Sequence, residues 1–123
     1  MGMENILEGT IRSNKDCVVD VSVNGHIIEG ISTCQSGGAV NVCIRPEDVT
    51  LSLSRSSSSA RNVFAGKITS MILNGPLVRA VLDCGFPLAA LITRLSWDEM
   101  QLEVGREVYA SFKATAIHII SIK

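Results

Sequence analysis

The sequence predicts an all-β fold made of two related strand-rich units with one short helix, and three observations predict it. Apolar residues alternate with polar ones over short runs, as in Val19, Val21 and Val23 against Asp20 and Ser22, which is the period of a half-buried strand. Turn residues separate these runs, among them Asn24-Gly25, Asn74-Gly75-Pro76 and Cys84-Gly85, which suit tight hairpin connections. Finally, the first half returns in the second. Asn5-Ile6-Leu7-Glu8-Gly9 is echoed by Asn62-Val63-Phe64-Ala65-Gly66, Val18 to Gly25 by Val78 to Gly85, and Val40 to Val49 by Val108 to Ile117, always in the same order. A repeat of this kind implies two copies of one supersecondary unit. Short strands, hairpin turns and glycines fit small closed barrels of the oligonucleotide-binding (OB) type better than an open sheet.

In chain order, Ile6 to Arg12 reads as a first strand and Lys15 to Val23 as a second. Asn24-Gly25 makes a type I′ turn into a partner strand beginning His26-Ile27-Ile28-Glu29. Ala39 to Ile44 is a strand ended by Arg45-Pro46, because proline removes a ladder donor. Val49, Leu51 and Leu53 alternate and close the first unit, residues 3–53. The Ser-rich stretch 54–58 is a solvated connector. The second unit, 59–123, runs Val63 to Leu73, Leu77 to Asp83 and Phe86 to Thr93 as strands. Ser96-Trp97-Asp98-Glu99 fits a capping box that predicts the helix near residues 97–102, with Ser96 as the cap. A strand through Val108, Ala110 and Phe112 follows, and Ile117, Ile119 and Ile122 supply the last apolar contacts.

A chain of 123 residues can bury a real core, while two halves of this size would each be marginal alone. Net charge is −1 and aromatic residues make up 4%, which argues against nucleic acid as a partner, since there is neither an attracting field nor a stacking surface. No apolar run is long enough for a membrane-spanning helix, and the first residues lack a secretory pattern. Cys17, Cys34, Cys43 and Cys84 form no C-x-x-C pair, and three of them sit in strand-like apolar surroundings. The expectation is reduced thiols in a cytoplasmic protein.

No hydrolase, zinc or phosphate-loop motif is present in the sequence, and His26 and His118 are expected to be structural or exposed, so the reading is not an enzyme. An anion-binding reading comes from comparing the two units. Where the first has Arg45-Pro46-Glu47-Asp48, the second has Lys113-Ala114-Thr115-Ala116, an ammonium, a hydroxyl and free amides in place of carboxylates and proline. A tetrahedral dianion needs donors from several directions. Arg61 and Lys113 can balance its charge, and Ser59, Thr93, Ser96 and Thr115 can supply hydroxyls. Each also has a simpler reading: surface charge for Arg61 and Lys113, helix cap for Ser96, strand residue for Thr93.

Ser59 to Gly66, then Leu91-Ile92-Thr93-Arg94-Leu95-Ser96, then Val104 to Thr115 resemble the molybdenum-pterin-binding-protein-like (Mop) family. Asn5 to Gly9 and Cys43 to Asp48 resemble the segment that follows the nucleotide-binding cassette in ATP-binding subunits of molybdate and tungstate importers. Together the halves resemble the carboxy-terminal regulatory domain of such a subunit, the TOBE arrangement. The resemblance implies a molybdate or tungstate ligand with no cofactor, held by Ser59, Arg61, Thr93, Ser96, Lys113, Thr115 and the backbone of Ala114. It also implies a homodimer through the Mop-like units, a cassette preceding this piece in a longer chain, and through that cassette a membrane permease. Binding would signal sufficiency and inhibit transport from the cytoplasmic face, with no insertion of this domain into the membrane. A ligand-free dimerisation domain and a stand-alone molybdate-storage protein are the alternatives.

Overall fold

The computed structural model describes residues 5–55 and 62–122. Among these residues ten strands form two five-stranded antiparallel sheets. They are β1 (Asn5–Lys15), β2 (Val18–Val23), β3 (His26–Ile31), β4 (Ala39–Ile44), β5 (Thr50–Ser52), β6 (Asn62–Asn74), β7 (Leu77–Asp83), β8 (Pro87–Thr93), β9 (Glu107–Phe112) and β10 (Ile117–Ser121). One short helix, α1 (Arg94–Glu99), follows β8, and 3-10 turns at Pro46–Asp48 and Ala114–Ala116 precede β5 and β10.

The repeat is visible in the sheets, with one exchange. The first sheet runs β10-β4-β1-β2-β3 and the second β5-β9-β6-β7-β8. Four strands in each come from one half, and the fifth is the last strand of the other half. The long strands β1 and β6 carry register shifts at matching places, Ile11/Ser13 and Ile68/Ser70. Such bulges bend a strand, so that one strand serves neighbours on both sides of a curled sheet. In the first sheet the curl brings β3 against β10: a Cβ added to Gly30 would lie 2.8 Å from Ile119 Cδ1.

Two buried asparagines tie the halves together at equivalent points. Asn5 donates from Nδ2 to Ala89 O at 2.9 Å and accepts at Oδ1 from Ala89 N at 2.7 Å. Asn62 does the same with Glu29, at 2.9 Å to the carbonyl and 2.8 Å from the amide. The side-chain amide has the donor and acceptor of a peptide group, so each Asn caps the exposed backbone of an edge strand that belongs to the other half.

The inner faces make one continuous core that includes Val19, Val21, Ile28, Val42, Ile68, Leu82, Leu88 and Phe112. Each fully buried aliphatic or aromatic side chain of this kind contributes roughly 1.5–3 kcal/mol by transfer from water. The hairpin turns of the two halves meet: Asn24 and Gly25 have φ of 49° and 82°, as the type I′ reading requires, and Asn24 Nδ2 donates to Gly85 O at 3.4 Å. His26 packs edge-on against Phe86 at 5.7 Å and Phe64 at 6.2 Å. Gly85, at φ 92°, lets that ring approach, since an added Cβ would overlap the imidazole.

Several expectations are corrected. The second strand does not include Lys15, which ends β1; Asp16 and Cys17 form the intervening turn at φ 54° and 67°. Asn14 accounts for it, accepting from Cys17 N at 3.0 Å and donating to Cys34 O at 2.7 Å. Cys17 is therefore exposed in a turn, while Cys43 and Cys84 are buried, and none of the four cysteines is in a disulfide. Ile122 is 37% exposed and lies outside the core, whereas Ile117 and Ile119 pack on it.

Candidate functional site

The helix begins three residues earlier than its capping box predicts, with Thr93 rather than Ser96 as the cap. Thr93 stays extended (φ −73°, ψ 150°) at the end of β8 and accepts from Ser96 N at 3.1 Å through Oγ1. Its hydroxyl also donates to Ser96 Oγ at 3.0 Å. The Arg94 amide donates to Pro76 O at 2.7 Å, which fixes the chain direction immediately after the strand. The helix then has no turn left in which Ser96 could be the cap. It ends in a Schellman pattern, with Leu102 N bonded to Trp97 O at 3.1 Å, Gln101 N to Asp98 O at 3.0 Å, and Gln101 left-handed at φ 54°. Trp97 and Leu102 are buried, as that pattern favours.

Thr93 and Ser96 thus form one pair of hydroxyls. They line a groove of about 470 Å³ together with Leu77, Leu91, Ile92, Met100 and Glu47. The carboxylate is there because of the strand exchange: the chain crosses into the second sheet as β5, and the turn Pro46–Asp48 packs against β8 on the way. Arg45, beside it, is turned to its own Asp48, with Nε 3.3 Å from Oδ2.

Lys113, Ala114 and Thr115 stand elsewhere. The same exchange carries them toward the first sheet, where the turn Ala114–Ala116 packs against β3. Lys113 and Thr115 are exposed and Ala114 is buried. Lys113 precedes the turn in an extended conformation (φ −79°, ψ 147°) and makes no side-chain capping bond. Its ammonium is open to solvent, and the first amides of the turn lack acceptors within it. Ser59 and Arg61 lie outside the described residues.

One chain therefore brings Thr93 and Ser96 together in the groove, while the turn that carries Ala114 and Thr115 packs against β3. Sequence reasoning paired Glu47 with Thr115 as repeat equivalents but did not place Glu47 beside Thr93, because the exchange of last strands leaves no local signal. It also passed over Asn5 and Asn62, although their matched positions at the head of each repeat were such a signal. Among the described residues no group of three or more His, Cys, Asp or Glu side chains is arranged to hold a metal ion. No helix among them is long and apolar enough to cross a membrane.

Fold and donors together define a tandem, strand-exchanged pair of OB-like β units with polar groups displayed at the turns that end each unit. Residues 58–119 match the TOBE domain, and the chain belongs to that family. It is 39% identical over 120 residues to the molybdate/tungstate import ATP-binding protein WtpC of Pyrococcus horikoshii, a match covering 97% of this chain and 33% of the relative. It is 34% identical over 83 residues to the molybdenum import ATP-binding protein ModC of Haemophilus influenzae, covering 66% of this chain and 24% of the relative. The chain thus spans a third or less of the length of these curated relatives. In fold it is similar to the cytoplasmic molybdate-binding protein ModG in a molybdate-bound crystal form, with a TM-score of 0.85, 19% identity and 94% of each chain covered.

Proposed function

We propose that this chain is an oxyanion-binding regulatory domain of an importer's ATP-binding subunit, with molybdate or tungstate as its ligand. The separation of the two donor sets within one chain carries the mechanism. Thr93 ends β8 and bonds to Ser96 in α1, while Ala114 and Thr115, directly after Lys113, lie in a turn against β3. A tetrahedral dianion is enclosed when the hydroxyls of one copy meet the ammonium, hydroxyl and backbone amide of a second. Ser59 and Arg61 complete the donor set. The kinship with WtpC and ModC supports this reading of ligand and context.

The partners are then a second copy of the domain, the ATP-binding cassette of the same subunit and, through it, a membrane permease. The ion shifts the balance between paired and unpaired arrangements only as far as its affinity for them differs. An anion that binds where two chains converge has that difference built in. Filling the site when the cell holds enough metal stabilises one pairing of the domains and holds the importer inactive at the cytoplasmic face.

The test is isothermal titration of the 123-residue chain with molybdate, tungstate and sulfate, with mass by light scattering at each stage. Saturable binding of the first two, coupled to self-association and weakened at least tenfold in Lys113→Ala, is the expected result. No heat and no thermal stabilisation from any oxyanion, in a folded protein, refutes the reading and leaves a ligand-free dimerisation domain.

A further inference from the structure

Among the described residues that line the groove beside Thr93, Glu47 is the one charged side chain. A dianion needs positive charge close by. Arg45 is engaged by Asp48 at 3.3 Å, and Arg94 by Asp98 at 4.0 Å, with both arginine side chains more than half exposed.

Arg79 is placed differently. In the register of β7 with β8, Leu77 stands opposite Thr93 and Arg79 opposite Leu91. Directly opposed residues share a face of the sheet, so Arg79 is on the face that carries Leu77, Leu91 and Thr93, all three of which line the groove. It is the diagonal neighbour of Thr93, and such neighbours lie about 7–8 Å apart, within reach of a long side chain. Arg79 is half-buried; its Nε is shielded from solvent and has no hydrogen-bond partner. No ion pair involves it among the described residues. A shielded guanidinium N–H without an acceptor is costly and uncommon in a folded protein. Leu91 and Ile72 flank it across the two neighbouring strands and offer no acceptor of their own side chains.

We propose that Arg79 is the charge-balancing contact for the oxyanion at the Thr93–Ser96 half of the site. The proposal rests on the oxyanion reading above and adds to it a residue that the sequence comparison of the two units did not single out. A guanidinium offers its N–H donors as a fork that suits two oxygens of one tetrahedral ion, which an ammonium cannot do. Across the interface between two copies, Lys113 approaches the same ion from the other chain.

The experiment titrates sodium molybdate into the 123-residue chain and into Arg79→Met, Arg79→Lys and Lys113→Ala, with Tm measured with and without the anion. Arg79→Met is expected to raise the molybdate Kd at least tenfold and to abolish most of the anion-induced rise in Tm. Its anion-free Tm should be unchanged or higher, because methionine keeps the length of the side chain and removes the unsatisfied donor. Arg79→Lys should fall between wild type and Arg79→Met. A Kd unchanged in Arg79→Met but weakened in Lys113→Ala overturns this proposal and leaves the oxyanion reading standing. Lost binding together with a lower anion-free Tm assigns Arg79 to the fold and also overturns it. Absence of binding in the wild type overturns both.

Discussion

Replacing Asn5 by alanine tests the tie between the halves. The substitution removes a donor to Ala89 O at 2.9 Å and an acceptor for Ala89 N at 2.7 Å, and Ala89 is only 6% exposed. Each buried backbone group left without a partner costs about 1–3 kcal/mol. Two such groups, relieved in part by water entering at the edge of β8, set an expected loss of about 2–4 kcal/mol. A domain of this size is stable by about 5–15 kcal/mol, so the variant should fold with its urea midpoint lowered by about 1–2 M at an ordinary m-value. Trp97 is the single tryptophan and is buried on the second sheet. Its fluorescence therefore reports whether damage at Asn5, in the first sheet, reaches the other half. Asn5→Asp keeps the acceptor, sets a carboxylate against the Ala89 carbonyl, and should lose at least as much at neutral pH. A loss below about 1 kcal/mol in Asn5→Ala at unchanged m would refute the argument, because it would mean that the paired amide contacts do not hold the halves.

Two further predictions concern the second half. Gln101 is left-handed at φ 54° at the end of the helix, where glycine carries no Cβ penalty; Gln101→Gly should be neutral or stabilising by up to about 1 kcal/mol in thermal unfolding, and Gln101→Val destabilising by about 1–2 kcal/mol. Burial, and then the Asp83 carboxylate, push the Cys84 thiol up to about 11. In the folded chain at pH 8 a thiol reagent should therefore modify exposed Cys17 well before Cys84, and equal rates would contradict the burial. The same shift makes stability fall as pH rises from the ordinary thiol range toward 11, since the unfolded chain releases that proton first. Comparing the pH slope of unfolding with that of Cys84→Ala isolates the effect.

What was legible in the sequence was local. Alternation delimited β4 and β7 to the residue, because Val40, Val42, Ile44 and Val78, Ala80, Leu82 need no distant partner to declare a face. Asn24-Gly25 announced its hairpin through φ alone. The turn at Asp16-Cys17 escaped because neither residue signals a left-handed conformation strongly, and Asn14 secures it through a chain segment 20 residues away. The cap moved from Ser96 to Thr93 because Pro76 O, brought near by strand pairing, takes the Arg94 amide. At the candidate site, the sequence displays the contrast in residue types between Lys113-Ala114-Thr115 and Arg45-Pro46-Glu47. Which of those turns sits beside Thr93 was not legible, since it depends on where β5 and β10 pair, far along the chain.

The exchange of β5 and β10 has a consequence for how the protein assembles itself. Each half, released from the other, lacks the strand that completes its sheet, so the folded chain is formally a heterodimer whose subunits share one polypeptide. The stretch between Ser52 and Asn62 turns their association into a ring closure. A short tether of this kind supplies a millimolar effective concentration, which keeps each half's missing strand within reach at any dilution. Severing the tether would make folding a second-order reaction.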